Sequence, residues 1–363
     1  MSMTIDFSFE RWRQVKDTYG RWWNGELERP LIPVVVRGRE PGRPEPAIGH
    51  KQGTAAYDFA VSPDEIVDRW DYELARLEFL GDAFPVVQPN FGPGVVAAFL
   101  GARTQVTEDT VWFHPPEEDL GISDLHFRLN AEHPWLKRIR AIMQAGIDRW
   151  GGLVQIGMTD LGGNLDILST FRPGEKLLLD LYDHPDEVRR LIWEAHEVWW
   201  RSFDLFNAVL QPTNPGYSAW AGIYSPAPHY MLQCDFCYMI GPAMFDEFVK
   251  PELAATCGRL DNAFYHLDGV GQLNHLDSLL GIADLKGVQW VPGTGQPDCG
   301  AWPEVYEKIQ RAGKLVQFLG SLDELDRVVD RIGSAKGFVL GCQSVGPTER
   351  DKVLRHLERY GVA

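Results

Sequence analysis

The 363-residue chain predicts an α/β fold, a single (β/α)8 barrel with an N-terminal helical extension over residues 1–30 and insertions after the early strands. Three observations predict it. Eight short apolar runs read as strands, each followed by a helix-patterned stretch. From Tyr217 onward the alternation is regular, and strands alternating with helices imply right-handed crossovers and a parallel sheet. The Gly-rich fingerprint of an open doubly wound sheet is absent. Length alone suits two domains, but α/β barrels commonly exceed that prior as one, so residues 1–363 are read as one unit.

The elements follow in order. Phe7 to Trp23 carries aromatics at helical spacing. Leu31–Val36 reads as the first strand, and a Gly- and Pro-rich loop follows to His50. Pro63 to Leu80 is helical in period, with Ser62 as N-cap, Pro63 in the first turn and Asp64 and Glu65 as an acidic start. Phe84–Val87 is the second strand, Pro134–Trp150 an amphipathic helix, and Leu153–Gly157 the third strand. Helices follow near Leu161–Ser169, Gly174–Leu181 and Pro185–Leu210, the last two separated where Pro185 disfavours helix at His184. Then strands Tyr217–Trp220, Ala263–His266, Gly287–Val291, Leu315–Leu319 and Gly337–Leu340 alternate with helices Pro242–Leu260, Gly271–Leu280, Trp302–Ala312, Leu322–Ile332 and Thr348–Tyr360.

Composition removes several classes. A net charge of −16 leaves no basic footprint for nucleic acid and opposes anionic membranes. No run of about 18 apolar residues is present to span a bilayer. Met1–Asp6 lacks a basic start and an apolar signal core, so the cytoplasm is the expected compartment. Five cysteines make an odd count, and a disulfide scaffold is not expected in a reducing compartment. The 13 tryptophans supply core and, at some positions, flat pocket walls.

The chemistry concentrates at strand ends, where a barrel keeps its active site. In Phe264-Tyr265-His266-Leu267-Asp268-Gly269, His266 and Asp268 are two apart, so on an extended segment both point to one face. Cys342, past the last strand, would add sulfur to a set suited to zinc. The alternatives are a structural histidine, an Asp capping the next helix and a buried thiol acting as a small hydrophobe. Cys234 and Cys237 form a single CxxC in the loop after Tyr217–Trp220. Cys237 is a further metal candidate there, and Asp235 between them is a candidate acid/base or substrate-orienting group. Trp290 and Gln296 flank a Gly-rich turn that admits a ligand to the backbone, or is a plain turn. Asp160 and Arg172 follow the third strand; Arg172 would anchor a carboxylate, or face water. Trp220 and Tyr224 end the Tyr217–Trp220 strand and line a pocket, or pack in the core.

In order, these stretches resemble the uroporphyrinogen decarboxylase-like superfamily. Its relatives include zinc-dependent corrinoid methyltransferases and cobalamin-independent methionine synthase. The likeness runs from about Pro89 onward. It rests on Pro89–Gly94, on Asp160-Leu161-Gly162-Gly163 through Leu178–Leu181 and His184-Pro185-Asp186, on Ile240–Phe248 with Pro251, on the His266 strand end and on Gly341-Cys342. In the methyltransferase branch a His-x-Cys and a later Cys hold zinc, which lowers the pKa of an acceptor thiol. His266 and Cys342 match that pattern, and Asp268 stands where the middle cysteine would be. The resemblance therefore implies a zinc-dependent, methyltransferase-like group transferase for a small polar substrate, with His266, Asp268 and Cys342 holding the metal; Cys237 or the substrate would fill the fourth position. It also implies a corrinoid or other methyl carrier supplied by a partner. Self-association into a homo-oligomer is common among such barrels.

A metal-free decarboxylase or lyase is the second expectation, with Asp268 or Asp235 as acid/base and Arg172 as anchor. Arg11, Arg13, Arg37, Arg39 and Arg43 lie outside the arginine–glycine motif of the tetrapyrrole enzymes. A third is a non-catalytic protein holding a small ligand on Trp220, Trp290 and Trp302.

Overall fold

The structure is a computed structural model that describes residues 5–117 and 120–362; the chain start Met1–Thr4, read above for a targeting signal, lies outside them. Five strands form one fully parallel sheet, in the spatial order Phe338–Leu340, Leu315–Phe318, Leu285–Val291, Asn262–Asp268, His229–Gln233. Each is buried on nearly every residue, as strands covered on both faces are. Gly287 is needed in this sheet. A Cβ there would meet the Phe264 ring at 2.2 Å, so only glycine lets the neighbouring strand keep its phenylalanine inside.

The rest of the strand structure is broken into smaller pieces. Val86–Val87 pairs in parallel with Gln155–Ile156. Leu31 bridges to Val339, and just after it Pro33–Arg37 lies between Leu77–Gly81, antiparallel, and Gln343–Val345, parallel. Arg103–Val106 and Val111–His114 form a hairpin. Among the described residues the ladders thus fall into four sheets, and the expected alternation of strand and helix is present without one continuous eight-strand ladder.

Helices cover the sheets. Pro185–Leu210 buries a stripe of Val188, Leu191, Ile192, Ala195, Val198, Trp199, Phe203 and Phe206, spaced three or four apart. Its packing partners are the helices Asn164–Phe171 and Pro134–Trp150. The caps are those the sequence predicts for Ser62, where side chain and backbone exchange hydrogen bonds with Glu65. Ser321 and Glu324 repeat that arrangement. The N-terminal helix, Phe9–Trp23, packs against the strand starts: Trp22 stacks on Phe264 at 6.1 Å and Trp23 lies 5.4 Å from His229. Trp12 and Trp23 donate their indole hydrogens to the carbonyls of Leu153 and Tyr224. The opposite, C-terminal ends of the strands are left free for a site.

Three expectations change. Tyr217–Trp220 makes only a bridge from Tyr217 to Ser225, and the ladder strand is His229–Gln233. Pro226 and Pro228 just before it give the segment the look of a loop. The helix from Pro63 ends at Ala75, and Leu77–Gly81 turns back as a strand beside Pro33–Arg37. The helix expected over Pro242–Leu260 contains a π turn at Phe245–Val249 before Lys250–Arg259 resumes. No helix among the described residues is long and apolar enough to cross a membrane.

Candidate functional site

His266 and Asp268 occupy the fifth and seventh positions of Asn262–Asp268, on one face as their spacing requires. Asp235 opens the short 3₁₀ turn Asp235–Met239 just beyond the adjacent strand. Ligand atoms of Asp235, His266 and Asp268 all lie within 4.8 Å of one another. The His266 Nε2 atom is 3.9 Å from Asp268 Oδ2. The edge of Trp220 packs on the imidazole, ring centres 5.0 Å apart.

Asp166 fixes the position of Asp235. Its carboxylate accepts the backbone N–H groups of Asp235 at 3.0 Å and Phe236 at 2.8 Å. Burial, and then the charge of Asp235, pushes the Asp166 carboxyl up to about 7. The Asp235 carboxyl is exposed at the mouth, yet the flanking protein desolvates it and raises it; His266 opposes the shift and Asp268 adds to it. Asp160 is likewise pushed up to about 7 by burial, although the N–H groups of Gly162 and Gly94 donate to it at 2.8 and 3.4 Å.

A layer of polar side chains supports His266 inside the sheet. Gln233, His266, Gln289 and Gln317 stand opposite one another on four neighbouring strands. His266 Nδ1 is hydrogen-bonded to Gln289 Oε1. Gln289 donates to Gln317 Oε1 at 2.6 Å, and Gln317 donates to the Ala221 carbonyl at 2.9 Å.

Two cavities adjoin the cluster. One of about 270 Å³ is walled by Gln88, Asn90, Glu108, Asp109, Asp160 and Trp220, among others. The other, of about 380 Å³, is walled by Trp112, Phe113, Asp166, Gln233, Asp235 and Phe236, among others. They share Pro93 and Val111. Among the described residues five carboxyl groups line the pair, with no lysine or arginine.

The remaining sequence-predicted residues are dispersed. Cys342 is exposed and lies outside the three-donor group; the surrounding protein still desolvates its thiol and pushes it up to about 11. Cys237 is buried, its carbonyl accepting from His275 Nε2 at 2.9 Å, and it too lies outside the group. Arg172 is committed to structure: it grips both Asp180 oxygens, at 2.5 and 2.9 Å, and the Leu120 carbonyl at 2.9 Å, which leaves no fork for a substrate. Tyr224 is fully buried among Trp12, Tyr19 and Phe84, its hydroxyl donating to the Pro215 carbonyl. Trp290 is fully buried against Trp302. Gln296 is exposed in its turn, away from both cavities. Asp160 and Trp220 do line a cavity. Sequence reasoning passed over Gln233, Gln317, Asp166 and the support role of Gln289. A glutamine inside each of three apolar strands was the signal that could have found the layer.

No protein-family model and no curated protein matches the sequence. Among solved structures the chain is similar to a methyltransferase from Methanosarcina mazei. The TM-score is 0.62 at 14% identity, over 95% of this chain and 99% of that one. At that identity the likeness establishes a shared fold.

Proposed function

We propose that this chain is a methyltransferase-like group transferase of the uroporphyrinogen decarboxylase-like kind, with a divalent metal held by Asp235, His266 and Asp268. The observation that carries the reading is the convergence of one imidazole and two carboxylates within 4.8 Å at the strand ends. The fold shared with a methyltransferase supports it. So does the tally of parallel positions: Leu31, Val86–Val87, Gln155–Ile156 and the five-stranded sheet count eight, the number a (β/α)8 barrel requires.

The residues fit a metal. Their donors are nitrogen and oxygen, a set that takes zinc and also harder divalent ions such as manganese or iron. Thiolate does not enter the set, because Cys342 lies outside the three-donor group. Bound there, the ion would supply Lewis acidity to an acceptor atom and lower its pKa. The chain's own groups do the rest. Asp166 holds the Asp235 backbone in place, and Trp220 covers one edge of His266. Asp160, brought near neutrality by burial, is suited to exchange a proton with a molecule in the smaller cavity. The acidic walls select a small neutral or cationic substrate and repel an anionic one. The methyl group would come from a corrinoid or similar carrier on a partner protein.

Metal content by mass spectrometry tests this directly. Wild-type protein should carry about one divalent ion per chain, and His266→Ala should lose it. Equal metal in both proteins would sink the assignment.

A further inference from the structure

The glutamines next to His266 form a one-way chain. Its far end is a backbone carbonyl, Ala221 O, which can only accept, so the Gln317 group 2.9 Å away must be its NH₂. That turns Gln317 Oε1 toward Gln289, which must then present its own NH₂ at 2.6 Å. Gln289 is left with Oε1 facing His266 Nδ1, so Nδ1 must carry a hydrogen. Turning either amide over would set two acceptors, or two donors, against each other in a buried layer. Gln289 is 2% and Gln317 1% exposed, so no bulk water is at hand to repair the mismatch. The strand register holds all three side chains side by side across three parallel strands.

We infer that Gln289 and Gln317 are positioning residues that lock neutral His266 in the Nδ1–H form and aim its Nε2 lone pair at the space between Asp235 and Asp268. The polarity is set two side chains away, at the Ala221 carbonyl, whose hydrogen bonds reach the imidazole through Gln317 and Gln289. A carboxylate in the place of Gln289 would orient the ring as well, but would add negative charge to a mouth already rich in it. The neutral amide orients without that charge. The consequence for metal binding rests on the metal-centre reading; the tautomer itself does not.

The experiment is nitrogen-15 NMR of histidine-labelled, metal-free protein at a pH where the ring is neutral. Wild type, Gln289→Leu and Gln317→Leu are compared, with zinc, manganese and iron titrations alongside and circular dichroism to confirm folding. In wild type His266 should be mainly Nδ1–H. Gln289→Leu should move it toward the Nε2–H form that free histidine favours. Gln317→Leu should do the same to a smaller extent without touching the ring, an effect that simple packing would not produce. Zinc affinity in Gln289→Leu should fall about 10- to 100-fold. A wild-type His266 that is mainly Nε2–H, or a tautomer that neither substitution moves, overturns the inference whatever the metal result. A locked tautomer in a protein that binds neither zinc nor manganese nor iron supports the relay and defeats the metal reading instead.

Discussion

From His229 to Leu340 five strands pair in one parallel sheet, in the order in which they occur in the chain. Among the described residues from Pro33 to Ile156 no sheet holds more than three strands, and the strands are two to five residues long. The two regions contribute differently to the site. The ordered half supplies His266 and its glutamine support, where strand register fixes each side chain against its neighbour. The irregular half supplies most of the cavity wall, including Gln88, Asn90, Gly92, Pro93 and the hairpin residues Val106 to Phe113. A reaction centre needs positions held to a fraction of an ångström, which a continuous ladder provides. A wall that selects among substrates can be made of loops and hairpins, which tolerate change.

That division can be broken by comparing one residue from each half. Phe264 is fully buried in the ordered sheet, packed on Trp22 and Trp23. Phe264→Ala should cost about 3–5 kcal/mol. Val106 sits on the hairpin at 41% exposure, and Val106→Ala should stay within about 0.5 kcal/mol. Chemical denaturation of both variants checks this. Comparable losses would mean that the hairpin is as integral to the fold as the sheet.

A smaller effect separates the halves by pH. Asp160 lies on the cavity wall, and burial lifts its carboxyl from 3.8 to about 7. Between those values the folded chain keeps a proton that the unfolded chain has released. This group's contribution to stability therefore falls as pH rises from about 4 to 7 and is level above that. Asp160→Asn removes the titration and keeps an oxygen for the N–H groups of Gly162 and Gly94. Relative to wild type it should gain about 2 kcal/mol between pH 4 and 8, less than a sealed carboxyl would give because the cavity admits water. Unfolding midpoints across that range are the measurement, and parallel curves for the two proteins would show that the carboxyl is not desolvated.

The same contrast explains what the sequence disclosed. In the ordered half the sheet strands after His229–Gln233 stood out as apolar runs, and the two-residue spacing of His266 and Asp268 placed both on one face. The strand His229–Gln233 was hidden by its flanking prolines. Asp235 was visible as a candidate, but its approach to His266 depends on a neighbouring strand and on Asp166, some 70 residues earlier, which no local pattern reveals. Arg172 looked available because nothing in the sequence announces that Asp180 and the Leu120 carbonyl will occupy it. In the irregular half, Leu77–Gly81, Arg103–Val106 and Val111–His114 were not legible as strands, because tertiary pairing fixes them and they carry little periodicity of their own.

Cys342 provides the finest distinction, because it sits at a strand end of the ordered half and still stands outside the donor group. With its thiol at about 11 against an ordinary 9.0, about a hundredfold less of it is thiolate near neutral pH. Because it stands outside the three donors, Cys342→Ser should leave metal content unchanged, in contrast with His266→Ala. Alkylation of Cys342, followed on its own peptide by mass spectrometry, should be slow at pH 7 and accelerate steadily toward pH 10. Loss of metal in Cys342→Ser would make the sulfur a ligand after all. The donor set would then be mixed nitrogen, oxygen and thiolate, and the softer metals would be favoured over manganese and iron. Rapid alkylation at neutral pH would show that the thiol is not desolvated, and its place outside the three donors would then be the sole reason for keeping it out of the centre.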